Sequence, residues 1–170
     1  MTWRALLTIV LLTGAQVSLA GASPAPPSDS EAQLQARLEK EQDPVRKSKL
    51  ETRLARVKLE QVIHAYEKGN TEQGAQLLSA YLGRIKDSWQ ILKSSGRNAA
   101  RSPGGFKELD IELREDNRLL EDLEKRASYF ERDPIQKARK EIEQVRAEVI
   151  QALFPVIQAP ESAKPSGKKN

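Results

Sequence analysis

The chain has 170 residues, 38% hydrophobic, 31% charged and 5% aromatic, enough for one modest domain and too little for a large multidomain enzyme. It has no cysteine and a single histidine, His64, which excludes thiolate metal sites, cysteine nucleophiles and disulfides, and nearly all histidine chemistry. The formal net charge is +4. Setting aside Arg4, Lys164, Lys168 and Lys169 among the bases, and Asp29 and Glu161 among the acids, leaves residues 31–153 at +2. That is too little, and too dispersed, for the concentrated basic face of a nucleic-acid binder.

Met1 to Arg4 form a short positive start, Ala5 to Leu12 run apolar, and small residues follow at Ser18-Leu19-Ala20 and Ala20-Gly21-Ala22. This is the pattern of a secretory signal over residues 1–22. A retained membrane span needs about 20 apolar residues, and Thr8, Thr13, Gly14, Gln16 and Ser18 interrupt this run. The expectation is an exported protein, periplasmic or secreted, that meets the membrane only through its signal before cleavage. Residues 23–30, with Pro24, Pro26 and Pro27, read as a flexible leader, and 155–170, with Pro160, Pro165 and Gly167, as a disordered tail.

Between them, residues 31–154 read as one all-α domain. Ser30 with Gln33 forms a capping box that predicts a helix over about 31–41. Asp43-Pro44 and Asp133-Pro134 each offer a side-chain cap followed by a residue with preset φ, so two further helices are expected to start there. Gly69-Asn70 predicts a tight helix–helix turn, with Gln73 completing a second box from Asn70. Apolar residues recur at three and four in the third helix (Leu78, Tyr81, Ile85, Trp89, Leu92), the fourth (Leu109, Leu113, Leu120, Leu123, Phe130) and the fifth (Ile135, Ala138, Ile142, Val145, Val149). The second is less tidy, its Leu59, Val62, Ile63 and Tyr66 spreading around the cylinder. Short connections favour an antiparallel helical bundle of four main helices with a short N-terminal helix beside it. Leftover apolar seam on helices four and five would give a homodimer.

Two internal echoes stand out. Residues 41–47 match 131–137 at most positions in identity or type, which two helices needing the same cap account for, a duplicated unit being the alternative. Tyr66 to Gly74, followed by Leu77-Leu78 and Tyr81, resembles the helix-turn-helix of a tetratricopeptide unit over about residues 50–82. In that family the aromatic ends the first helix and the small residue lets the second approach closely. Solenoids need about three repeats, and no second copy is present, so the resemblance implies local geometry and no peptide-binding groove.

Candidate chemistry is thin. Glu60 and His64 share a helix face, but a bundle di-iron site needs two Glu-x-x-His pairs, so no metal is expected. The acids from Glu108 to Glu124 lack the glycine-centred loop of a calcium-binding hand and read as a solvated face, except Asp116. That residue falls on the seam between Leu113 and Leu120, where a buried carboxylate needs a partner such as arginine. Trp89 lies on the apolar stripe and reads as a core anchor.

The connection from Lys93 to Lys107 is longer than a bundle turn requires and strongly basic. Its bland reading is a soluble link. Its sharper reading is a contact loop in which the amides of Gly104 and Gly105 open the fourth helix, and Arg97, Arg101 and Lys107 hold an anionic group. The expectation is therefore a non-enzymatic exported helical protein without cofactor, a scaffold, adaptor or accessory factor that meets a protein partner or an anionic envelope component. The alternative is a binding module for an anionic ligand through residues 94–105.

Overall fold

The structure, a computed structural model, describes residues 30–155; the expected signal, most of the leader and the tail beyond Pro155 lie outside the described residues. Every regular element within them is helical: α1 (Glu31–Lys40), α2 (Pro44–Glu67), α3 (Thr71–Ser94), α4 (Phe106–Arg126) and α5 (Arg132–Leu153), with a 3-10 turn at Tyr129–Glu131.

Local chemistry explains most of these ends. The Ser30 Oγ accepts from the Gln33 amide while the Ser30 amide donates to Gln33 Oε1, so the first box forms as expected. Asp43 Oδ1 accepts from the Arg46 amide at 2.9 Å, with Pro44 as the first helical residue. The expected Asn70 cap does not form. Gly69 takes φ +73°, and the Gly69 and Asn70 amides donate back to the carbonyls of Tyr66 and Ala65. This is a Schellman closure, in which the Asn70 backbone serves the end of α2.

The start of α5 also differs from expectation. Asp133 and Pro134 lie inside its first turn and do not cap it, because the chain has already reversed at Ser128, whose amide donates to Glu131 Oε2 at 2.8 Å. Pro134 is tolerated there since first-turn amides have no helical acceptor. α4 stops at Arg126, so Phe130 is not on its buried stripe but stands out from the 3-10 turn.

The main core is built from Ala55, Leu59 and Val62 of α2 and the stripes of α3, α4 and α5. A second cluster, Leu34 and Leu38 against Leu50 and Leu54, fastens α1 to the other side of α2. α2 is thus apolar on two faces, which explains its spread pattern. Between α2 and α3, Ser48 Oγ meets Ser88 Oγ at 2.8 Å, Arg84 pairs with Glu51 at 3.0 Å, and the Tyr66 ring covers Gly74. Between α4 and α5, Arg146 pairs with Asp110, Arg139 donates to Asn117, and Gln136 donates to Glu124. Lys49 reaches Glu108 from α2 to α4, and Lys86 reaches Glu141 from α3 to α5.

Candidate functional site

The 95–105 connection is bonded along its length. Ser95 Oγ donates to the Leu92 carbonyl at 2.6 Å and accepts from the Arg97 amide; Gly96 takes φ +68°; Asn98 accepts from the amides of Arg101 and Ser102. Ala99 turns inward and is buried with the core. The excess length that marked this segment in the sequence is used to plug the end of the helices.

The residues singled out there divide into two groups. Gly105 is buried, its φ is +88°, and its amide donates to Glu108 Oε2 at 2.6 Å. The chain's own carboxylate therefore occupies the expected anion position at the start of α4. Arg97 pairs with Asp43 at 3.2 Å. Arg101, Gly104 and Lys107 are exposed.

Beside the loop lies a pocket of about 290 Å³ that no single stretch of sequence announces. Trp89, Phe106 and Ala99 form its floor, Ala152 and Pro155 its wall, and Lys93 and Arg97 its rim. Trp89 is buried as expected and meets Phe106 edge to face at 6.2 Å. Its indole N–H donates to Glu148 Oε2 at 2.8 Å, and Lys93 Nζ lies 5.6 Å from its ring centroid. The indole hydrogen bond, reinforced by Lys93, holds the Glu148 carboxyl below its ordinary pKa.

A larger groove of about 530 Å³ runs between α1, α2 and α4, over Leu34, Val57 and Leu109. Its walls are tied by the Lys49–Glu108 pair and by Arg56 with Glu112 and Glu115. Beneath it Asp116 is fully buried. Arg56 Nη1 lies 2.6 Å from Asp116 Oδ1, and the Tyr81 hydroxyl donates to Oδ2 at 2.9 Å. Burial lifts the Asp116 carboxyl to about 6 against the opposing pull of Arg56 and Tyr81. The arginine that the seam position demanded is thus Arg56.

At the opposite end of α5, Tyr129 and Phe130 are 81% and 88% exposed and stack edge to face at 5.6 Å. Their turn is pinned by Thr71 Oγ1 donating to Glu131 and by Arg132 Nε donating to the Ala127 carbonyl. The Ser128-to-Glu131 spacing is itself a capping-box signal that could have located this turn.

His64 is exposed, and among the described residues no group of three or more His, Asp or Glu side chains is placed to hold a metal ion. None of the helices among the described residues is long and apolar enough to cross a membrane. No protein-family model, curated protein or solved structure matches this chain.

Proposed function

We propose that this is an exported, non-enzymatic helical protein, a scaffold, adaptor or accessory factor, that works through protein–protein or envelope contacts made at its basic pole. The observation that carries the reading is the pocket over Trp89 and Phe106. An aromatic floor, a cationic rim and a loop pinned through Ala99 make a preorganised contact site, in which little ordering entropy remains to be lost on binding. The opposed residue numbering of the α2/α3 and α4/α5 pairs supports reading the four long helices as an antiparallel bundle, with α1 flanking it, so that the pocket sits on a rigid end.

The second reading is a module for an anionic ligand or acidic partner held by the loop itself. Arg101 and Lys107 favour it, because both are exposed at the edge of the loop.

Crosslinking of the chain in its own cell envelope separates the two. If the pocket makes the contact, Ala152→Phe, which fills it from the wall, removes the captured partner while Arg97→Ala with Arg101→Ala weakens capture only slightly. If the loop charges make it, the double arginine variant removes capture and rising salt abolishes it. Capture unaffected by either change would reject the basic pole as the contact surface.

A further inference from the structure

A further concavity, of about 330 Å³, lies at the elbow where α1 meets α2. Five cations converge on it: Arg37 and Lys40 from the last turn of α1, and Arg46, Lys49 and Arg53 from the first three turns of α2. Leu50, buried with Leu34, Leu38 and Leu54, backs it, and Glu41 is its one acid. We propose that this elbow is a binding site for a small phosphate-bearing anion of two or more negative charges. The site is separate from the Trp89 pocket and stands or falls independently of the function proposed above.

Three observations carry it. The single acid is already committed. Glu41 Oε1 accepts from the amides of Gln42 and Asp43, both at 2.9 Å, and Oε2 lies 3.3 Å from Arg46 Nε. Glu41 therefore fixes the elbow that brings the cations together, its charge shared among three donors. The second observation is placement. α2 has no acid in its first turn, and Arg46 and Lys49 sit near its N-terminus, where the helix dipole disfavours cations and favours an anion. Packing does not require them there, because all five cations are exposed. Their spacing of three and four along each helix sets like charges side by side, a repulsion that a bound anion relieves.

The third observation is that ion pairs do not exhaust the set. Lys40 forms no ion pair among the described residues. Lys49 reaches Glu108 and Arg46 reaches Glu41, but the side chains of Arg46 and Lys49 are 71% and 46% exposed, and pairs so exposed are weak and exchange readily. Arg37 and Arg53 hold interactions of their own, so what distinguishes the elbow is the convergence of five long donors on one concavity rather than idle charge.

The lining selects the ligand. Arginine forks match phosphate oxygens bidentately, and the lysines add point charge. The volume falls at the lower end of small-ligand pockets, and Glu39, Asp43 and Glu51 interrupt the basic residues along the chain, so a short anion suits the site and a long polyanion does not. A soluble phosphate compound and a phosphate headgroup share this chemistry.

The test is calorimetric titration of the full chain with inorganic pyrophosphate. Binding is expected, weakening as sodium chloride is added. Lys40→Gln with Arg53→Gln removes one cation from each wall and is expected to weaken it about tenfold or more, whereas Arg101→Ala with Lys107→Ala, on the 95–105 connection, leaves it unchanged. Helical melts confirm that the variants fold; Arg37→Gln with Lys40→Gln, confined to the exposed side of α1, replaces the first should it fail. Sedimentation with phosphatidylcholine vesicles, with and without phosphatidic acid, separates the two sources. Retention that requires phosphatidic acid and is lost in the Lys40 and Arg53 variant supports the site as a headgroup site; pyrophosphate binding without retention supports it as one for a soluble compound. Absence of both overturns the proposal, as does binding that survives the elbow variants or is lost equally in the Arg101 and Lys107 variant.

Discussion

Replacing Asp116 with Asn removes one buried charge and leaves a side chain of the same shape. In the native protein the carboxyl is 1% exposed and titrates at about 6, raised chiefly by burial from an ordinary value of 3.8. The difference converts to about 3 kcal/mol. The native state holds this proton more tightly than the unfolded chain does, so the contribution is fully present below about pH 3. It is lost as pH rises through 6 and stays constant above that. The amide introduced by D116N does not titrate, can still accept from Tyr81, and leaves Arg56 beside Glu112 and Glu115. Urea unfolding followed by helical ellipticity between about pH 4 and 7 provides the measurement. The wild type is expected to gain about 2 kcal/mol relative to D116N as pH falls from 7 to 4, the full value of about 3 kcal/mol being reached only below about pH 3. Carboxylates whose pKa is lowered, such as Glu31, Glu124 and Glu131, lose stability in the opposite direction at low pH, but they are common to both proteins and cancel in the difference. A difference that stays constant across this range would refute the account of the buried carboxylate.

Other consequences follow from particular contacts. Gly105→Ala meets both a φ of +88° and a Leu92 methyl 2.9 Å from the new Cβ, whereas Gly96→Ala meets only the strain of φ +68° with open space around it. Thermal melts should show Gly96→Ala costing about 1 kcal/mol and Gly105→Ala clearly more. Ser88 joins Ser48 and Thr52 in a buried hydroxyl cluster, so Ser88→Ala removes a partner from both and should cost about 1–3 kcal/mol, while Ser88→Thr tests whether the hydroxyl alone suffices. In a Trp3→Phe background Trp89 is the sole tryptophan; its emission should be blue-shifted and should move to the red on unfolding.

The parts of the fold that were legible in the sequence rest on local chemistry. Ser30 with Gln33, Asp43 with Pro44, and the three- and four-residue spacing on α3 and α5 act within a turn or along one face, so their residues appear where their pattern puts them. Asp116 was legible for the same reason, as an acid on an apolar seam. The misread points are those where two local signals compete. At Gly69-Asn70 the closing of α2 takes the backbone that a cap of α3 would need, and at Ser128 a capping box upstream pre-empts Asp133-Pro134. Phe130 follows from that second competition, since ending α4 at Arg126 detaches it from the stripe. The pocket was not legible at all, because its floor and wall come from α3, the loop, α4 and the end of α5, which only tertiary packing brings together. The open amide expected at Gly105 failed because Glu108, three residues on, supplies the anion from within the chain.

The central claim, that the basic pole is where this protein meets its partner, is tested most directly by placing a photo-crosslinking residue at position 101 and, as a control, at the exposed position 118 on α4, in cells that produce the protein. The account predicts discrete adducts from position 101 that vanish when Ala152→Phe fills the pocket, and none from position 118. Adducts of equal strength from both positions, or adducts from 101 that survive the filled pocket and the loss of Arg97 and Lys107, would contradict it.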